Sequence, residues 1–93
     1  MIARVFISGF VQGVGFRQFI KQNALKFGLT GWVRNLPDNR VEVIFQGPKD
    51  KIEKIVSACR KGPFLSEVKN VEVIWEENPL SGGENFESFD ILI

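Results

Sequence analysis

Histidine is absent from this sequence of 93 residues, and cysteine occurs only once, at Cys59. Without histidine the chain cannot form a Ser–His or Cys–His catalytic pair, or a metal site built on imidazole. A lone cysteine excludes an internal disulfide and a thiolate metal cluster, and such a residue is most often a small buried thiol. The sequence therefore predicts no metal site built on histidine or on a cluster of thiolates.

Long apolar runs are also missing. No run approaches the roughly 20 residues of a membrane span, and Arg4 interrupts the first apolar segment, where a signal peptide requires continuity. We therefore expect a cytoplasmic protein with no membrane partner. The 44% hydrophobic and 25% charged residues are typical of a folded domain, and the length predicts a single domain over residues 1–93.

Acidic residues are missing from the first part of the chain. Residues 1–37 contain five basic residues and no Asp or Glu, which gives this segment a charge of +5. The remainder, with seven basic and eleven acidic residues, carries −4. The net charge of +1 gives the whole molecule little attraction for nucleic acid. The first segment, in contrast, is expected to attract small anions.

The spacing of apolar residues predicts five strands and two helices. Alternation with a period of two predicts strands over residues 2–8, 30–36, 40–46, 68–75 and 89–93. Helical spacing predicts one helix from Phe16 to Phe27, ended by Gly28, and a second that begins at Pro48 and stops at Gly62-Pro63. Residues 78–83 are predicted to form a surface loop.

The core order β-α-β-β-α-β predicts an α+β fold, a ferredoxin-like sandwich with two helices packed on one face of an antiparallel sheet. Right-handed crossovers place the first and third strands side by side at the centre of the sheet. The loop after the first strand is then expected to lie close to the hairpin between the second and third strands.

Residues 8–17, SGFVQGVGFR, place three glycines between a strand and a helix, with Arg17 where the helix begins. Glycine accepts backbone angles that let several N–H groups point at one anion, and the helix start adds unpaired N–H groups and a positive dipole end. A cation in the first turn opposes that dipole by roughly 0.3–1 kcal/mol. A bound phosphate reverses the sign, because a guanidinium can donate two parallel hydrogen bonds to it.

Chemistry at this loop must rely on alignment and positive charge, because no acidic residue precedes Asp38. Phosphoryl transfer allows this. The segment lacks the Gly-Lys-Ser/Thr ending of a P-loop, and Gln18 stands where the dinucleotide fingerprint requires a small residue. Asn35, at the end of GWVRN, can hold a water by accepting one of its protons, although taken alone it is more typical of a turn former.

Together the two segments resemble the signatures of the acylphosphatase family. GFVQGVGFR, residues 9–17, resembles the first signature, and GWVRN, residues 31–35, followed by Val41 and Gly47, resembles the second. The resemblance implies hydrolysis of the carboxyl–phosphate bond of acyl phosphates without a metal or other cofactor, giving a carboxylate and inorganic phosphate. It implies that Arg17 holds the phosphate, that Asn35 orients the attacking water, and that the phosphate is surrounded by the loop amides of Gln12, Gly13, Val14, Gly15 and Phe16.

The same resemblance favours a monomer whose partners are an acyl phosphate and inorganic phosphate, without nucleic acid.

Two positions depart from the family pattern. Asn39 stands where glycine is usual in the hairpin turn, and asparagine is well suited to replace glycine at positive φ. Phe10 is less polar than the residue often found there, and we expect it to alter access for the acyl group.

Two other functions stay open on the sequence alone. The same fold serves RNA-recognition domains, although the third strand offers Val41, Val43 and Phe45 and no flat stacking pair. The other is a regulatory or maturation domain that binds acyl or carbamoyl phosphate. Arg4 and Arg34 are predicted to be solvated surface charges.

Overall fold

A computed structural model of the chain describes residues 1–77 and 86–92. Its elements follow the predicted order. They are β1 (Ile2–Phe10), α1 (Phe16–Lys26), β2 (Thr30–Asn35), β3 (Val41–Gln46), α2 (Lys49–Lys61), β4 (Glu67–Glu76) and β5 (Phe89–Ile91). The surface loop predicted at residues 78–83 lies outside the described residues.

The strands form one sheet in the order β4-β1-β3-β2-β5, with β1 and β3 adjacent at its centre, as the crossover rule predicts. The ferredoxin-like sandwich is confirmed, with one refinement: β5 pairs parallel to β2, so the sheet is mixed. The reason is directional. Strands β1 and β2 run one way, and β3 and β4 run the other. A strand that returns after β4 therefore runs with β2.

Both helices pack on one face of this sheet, where the alternating side chains of the strands form the core. The central strands contribute side chains such as Val5, Ile7, Val43 and Phe45, and the helices contribute Phe16, Ile20, Ile52, Ile55 and Cys59. Each such aliphatic or aromatic side chain stabilises the fold by about 1.5–3 kcal/mol on burial. Cys59 is buried, as predicted. Neither α1 nor α2 has the length or hydropathy needed to cross a membrane.

The opposite face of the sheet carries an ion triad centred on Glu42. Arg4 and Arg34 are partly exposed at the surface, as predicted, but they are not isolated charges, because both form salt bridges that the sequence did not predict. Nη1 of Arg4 and Nη2 of Arg34 each lie 2.7 Å from a carboxylate oxygen of Glu42. The side chain of Glu42 is only 5% exposed. The strand order explains the triad, because β3 lies between β1 and β2 and so brings both arginines beside the same carboxylate.

Candidate functional site

The site begins where β1 leaves the centre of the sheet. Pairing between β1 and β3 ends at Ile7↔Val41, whereas β1 continues beside β4 as far as Phe10, with a register shift between Ser8 and Gly9. Beyond that point residues 11–15 form a loop that leads directly into α1. The loop therefore lies at the end of the sheet, in front of the first turn of the helix.

Two glycines give this loop its shape. Gly13 and Gly15 have φ of 75° and 79°, a left-handed conformation that side chains with a Cβ rarely adopt. Gly15 is the N-cap of α1 and provides no side-chain cap. Among the described residues, none of the N–H groups of residues 12–16 donates to a backbone carbonyl. The loop and helix start thus present unpaired amides, which is the ordinary basis of an anion site.

A cavity of about 190 Å³ brings the two predicted signatures together. It is lined by Val11, Gly13, Gly15, Phe16, Arg17, Gln18, Asn35 and Ile91. Arg17 is the second residue of α1, and Asn35 is the last residue of β2. Their meeting depends on the sheet order, which sets the hairpin after β2 near the loop after β1, as expected from the topology.

Not every predicted site residue lies in this cavity. The side chain of Val14 packs against the core, and that of Gln12 reaches the β2–β3 turn. Val11, Gln18 and Ile91, in contrast, line the cavity and were not predicted to do so. No signal in the sequence places Ile91 there, because its position follows from the parallel pairing of β5 with β2.

Arg17 is the cation available to an anion in the cavity. It has no salt-bridge partner within residues 1–77 and 86–92, whereas Arg4 and Arg34 pair with Glu42 and Arg40 pairs with Asp38. The hydrogen bond from Arg40 holds the pKa of Asp38 below its ordinary value. Salt bridges to Glu42 thus neutralise part of the positive charge of residues 1–37, and the charge of Arg17 is not neutralised in this way within the described residues.

Asn35 offers a polar atom without a partner. Its Oδ1 is buried and accepts no hydrogen bond among the described residues. A buried acceptor left unpaired costs about 1–3 kcal/mol, and a water in a polar cavity is an ordinary partner for such an atom. Arg17 is the only charged residue that lines the cavity in the described part of the chain, so no side chain there can accept a proton at neutral pH.

The hairpin turn agrees with the prediction made for Asn39, which has a positive φ of 74°. Phe10 is 60% exposed and does not line the cavity of Arg17 and Asn35. It instead borders a separate groove of about 300 Å³, together with Gly9, Val11, Gln12 and Asn39. The effect expected of Phe10 on access for the acyl group therefore stays a prediction.

Comparison with known proteins assigns the chain to a protein family. The family model described as Acylphosphatase matches residues 3–91. The chain belongs to the acylphosphatase family. It is thereby assigned to the hydrolases that act on acyl phosphates, and the predicted resemblance is confirmed.

Individual acylphosphatases are similar over most of their length. That of Chloroflexus aurantiacus is 49% identical over 75 residues, which cover 81% of this chain and 82% of the relative. That of Caldivirga maquilingensis is 44% identical over 89 residues, covering 95% and 90%. The crystal structure of acylphosphatase from Bacillus subtilis superposes with a TM-score of 0.87 at 37% identity, over 100% of both chains.

Proposed function

We propose that this chain hydrolyses the carboxyl–phosphate bond of acyl phosphates by attack of a water that Asn35 orients on a phosphoryl group held by Arg17 and the loop amides. The observation that carries the proposal is the cavity shared by Arg17 and Asn35, into which two otherwise separate segments of the chain converge. The Oδ1 of Asn35 is buried and lacks a partner among the described residues, which supports its assignment as the acceptor for the attacking water.

The phosphate is held by two kinds of donor. The N–H groups of residues 12–16 are unpaired in the described structure, and in this proposal they donate to the phosphate oxygens, while the guanidinium of Arg17, which lines the cavity, donates from one side. Charge-assisted hydrogen bonds of this type are roughly twice as strong as neutral ones. Donors held in place before the reaction stabilise the charge that the phosphoryl oxygens carry in the transition state.

Asn35 supplies direction for the nucleophile. When Oδ1 accepts a hydrogen bond from the water, a lone pair of the water oxygen is left to attack phosphorus. A bond from the water oxygen to phosphorus forms, and the bond from phosphorus to the acyl oxygen breaks, with the electron pair leaving on the carboxylate. Because no lining side chain in the described part accepts a proton, the water proton passes to a phosphate oxygen or to solvent.

The leaving group explains why an acyl phosphate suits this cavity. A carboxylate has a pKa of about 4 and leaves without being protonated. An alkyl alcohol is a far weaker acid and needs a general acid, which the described lining does not contain. The proposal includes no metal, and no group of three or more His, Cys, Asp or Glu side chains placed to hold one occurs in the described residues.

A hydrolysis assay with benzoyl phosphate, with and without chelator and against a simple alkyl phosphate, tests the proposal. We expect turnover of the acyl substrate alone, unaffected by chelator.

Arg17→Ala should lose phosphate affinity and most turnover, and Asn35→Ala should lose turnover with less effect on binding, because removal of one such group costs about 10²–10³ in rate. Parental turnover by a folded Arg17→Ala variant would contradict the site assignment.

The alternatives make different predictions in the same assay. A regulatory domain binds phosphate in this cavity but leaves benzoyl phosphate intact. An RNA-recognition domain stacks bases on its third strand, yet Val41, Val43 and Phe45 are fully buried on the helix side of the sheet and are not available for stacking. The RNA-recognition alternative also leaves the convergence of Arg17 and Asn35 unexplained, whereas the regulatory alternative is separated from hydrolysis by the assay.

A further inference from the structure

The side chain of Gln12 has a role that its backbone amide does not explain. Its Nε2 donates to the carbonyl oxygen of Leu36 at 2.9 Å and to that of Arg40 at 3.0 Å. Both N–H bonds of the carboxamide are thereby used. The two acceptors belong to the turn that directly follows Asn35.

These hydrogen bonds bridge a gap between strands. The last pair of β1 and β3 is Ile7↔Val41, and Val41 also pairs with Asn35 on β2. Asn35 therefore lies in the last row in which β1 is hydrogen-bonded to its neighbour β3. One residue further, the N–H of Leu36 donates to the carbonyl of Arg40 and closes the turn. No strand of the described sheet pairs with this turn from the β1 side, and the Gln12 amide contacts it there.

We propose that Gln12 is a positioning residue that fixes Asn35 relative to the phosphate loop. Gln12 precedes the two glycines of that loop, and its amide holds the turn after Asn35 against it. The proposed donors to phosphate lie on the loop and α1, and Asn35, which orients the water, lies on β2. The side chain of Gln12 joins these two segments. The inference rests on the proposed function.

Removal of this link has a defined kinetic consequence. The proposed donors to phosphate are backbone amides and Arg17, and Gln12 Nε2 is not one of them because both its N–H bonds go to the turn, so we expect phosphate still to bind. The hairpin, no longer tied to the loop, lets Asn35 shift, and a displacement of about 1 Å in a positioning group can lower a rate by about 100-fold. The inference therefore predicts a loss in kcat at constant phosphate affinity.

The test replaces Gln12 by methionine, which keeps the length of the side chain and removes both donors. Gln22→Met is the matched control, because Gln22 is an exposed glutamine on α1 that does not line the cavity. We would measure kcat and KM with benzoyl phosphate and the Kd of inorganic phosphate by calorimetry. Gln12→Met should lower kcat by about 10- to 100-fold with an unchanged phosphate Kd, and Gln22→Met should match the parent.

A double variant distinguishes an effect of Gln12 on the position of Asn35 from a general loss of stability. If Gln12 acts through Asn35, then Gln12→Met in an Asn35→Ala background lowers kcat no further. Independent, multiplying losses would overturn the inference, as would a loss of phosphate affinity in proportion to kcat. Phosphate binding at the parental Kd also shows that the variant is folded. Gln12→Ala is a second variant for which the same results are expected, and loss of phosphate binding by both variants would overturn the inference.

The unmutated protein distinguishes this inference from the proposed function. If it binds phosphate but does not hydrolyse benzoyl phosphate, the proposed function fails and the inference fails with it. If it is active and Gln12→Met retains the parental kcat, the inference alone is overturned.

Discussion

Several single side chains of this protein act through partners that are distant in sequence. Glu42 is the clearest case, since a nearly buried carboxylate is tolerable only because Arg4 and Arg34 donate to it from the strands on either side. The two arginines remain 39% and 45% exposed and keep contact with water. The triad is therefore a local stabilising device on the face of the sheet away from the helices.

Glu42→Gln should lower the free energy of unfolding by about 1.5–3 kcal/mol, the usual worth of a hydrogen bond to a charged group. Urea unfolding followed by circular dichroism measures the change. Glu72→Gln is the control, because Glu72 is exposed on β4 on the same face and forms no salt bridge within the described residues. A surface change of this kind stays within about 0.5 kcal/mol, so equal losses for the two variants would contradict a stabilising triad.

Cys59 should be unreactive while the protein is folded. Burial raises the pKa of its thiol to about 12, and the thiolate is the reactive form. We expect no reaction with a disulfide reagent near pH 8.5, the ordinary thiol pKa, until urea unfolds the chain. Above about pH 8.5 the thiol ionises in the unfolded chain but not in the folded one, which favours unfolding. The free energy of unfolding is therefore expected to be unaffected by Cys59 below about pH 8.5 and to fall as the pH rises above it. Rapid modification of the folded protein would contradict the burial.

A glycine with positive φ lies at each end of α1. Gly15 precedes the helix and Gly28 follows it, with φ of 79° and 70°, and at either position an added Cβ would meet no atom within 4 Å. Glycine is thus required at both by conformation rather than by space. Only Gly15 lines the cavity with Arg17 and Asn35. A substitution at either glycine is therefore expected to strain the backbone, and only a substitution at Gly15 is expected to affect the proposed anion site.

Gly15→Ala and Gly28→Ala should each lose about 1–2 kcal/mol of stability, the cost of an L-residue in the left-handed region. Only Gly15→Ala should also weaken phosphate binding, because its methyl group and the relaxed backbone disturb the loop amides. Urea unfolding and phosphate calorimetry on both variants provide the comparison. Equal phosphate affinities in the two variants would show that the loop conformation does not hold the anion.

Across the whole molecule, the cavity proposed to hold the anion exists only when the sheet and α1 are assembled, since its lining comes from β2, β5, α1 and the loop after β1. Binding of phosphate must therefore be linked to folding. A ligand that binds only the folded state raises its stability in proportion to the logarithm of ligand concentration above Kd.

Inorganic phosphate at about 100 times its Kd should stabilise the protein by about 2.7 kcal/mol and raise Tm. Differential scanning calorimetry measures the shift, with chloride at equal ionic strength as the control for screening. Arg17→Ala should lose most of the phosphate-dependent shift while it keeps the effect of ionic strength. The same shift in the parent and in Arg17→Ala would mean that phosphate binds elsewhere.

Local patterns in the sequence were sufficient for the elements and for the two signatures. Apolar periodicity depends on residues within a few positions of one another, so β1 to β5 and both helices could be predicted with small errors at their ends. The glycines before Arg17 predict a loop of unpaired amides for the same reason. Those two segments also carried the resemblance to the acylphosphatase family, which the family model matching residues 3–91 confirmed.

The predicted topology brought the two signatures together, but only the tertiary structure showed which individual side chains meet. It joined Glu42 to two arginines, brought Ile91 into the cavity through the parallel strand β5, and used the side chain of Gln12 to tie the loop to the turn after Asn35. Each of these contacts joins residues that are far apart along the chain or depends on the order of the strands. Spacing within one segment carries no information about such partners, because they are selected when the sheet forms.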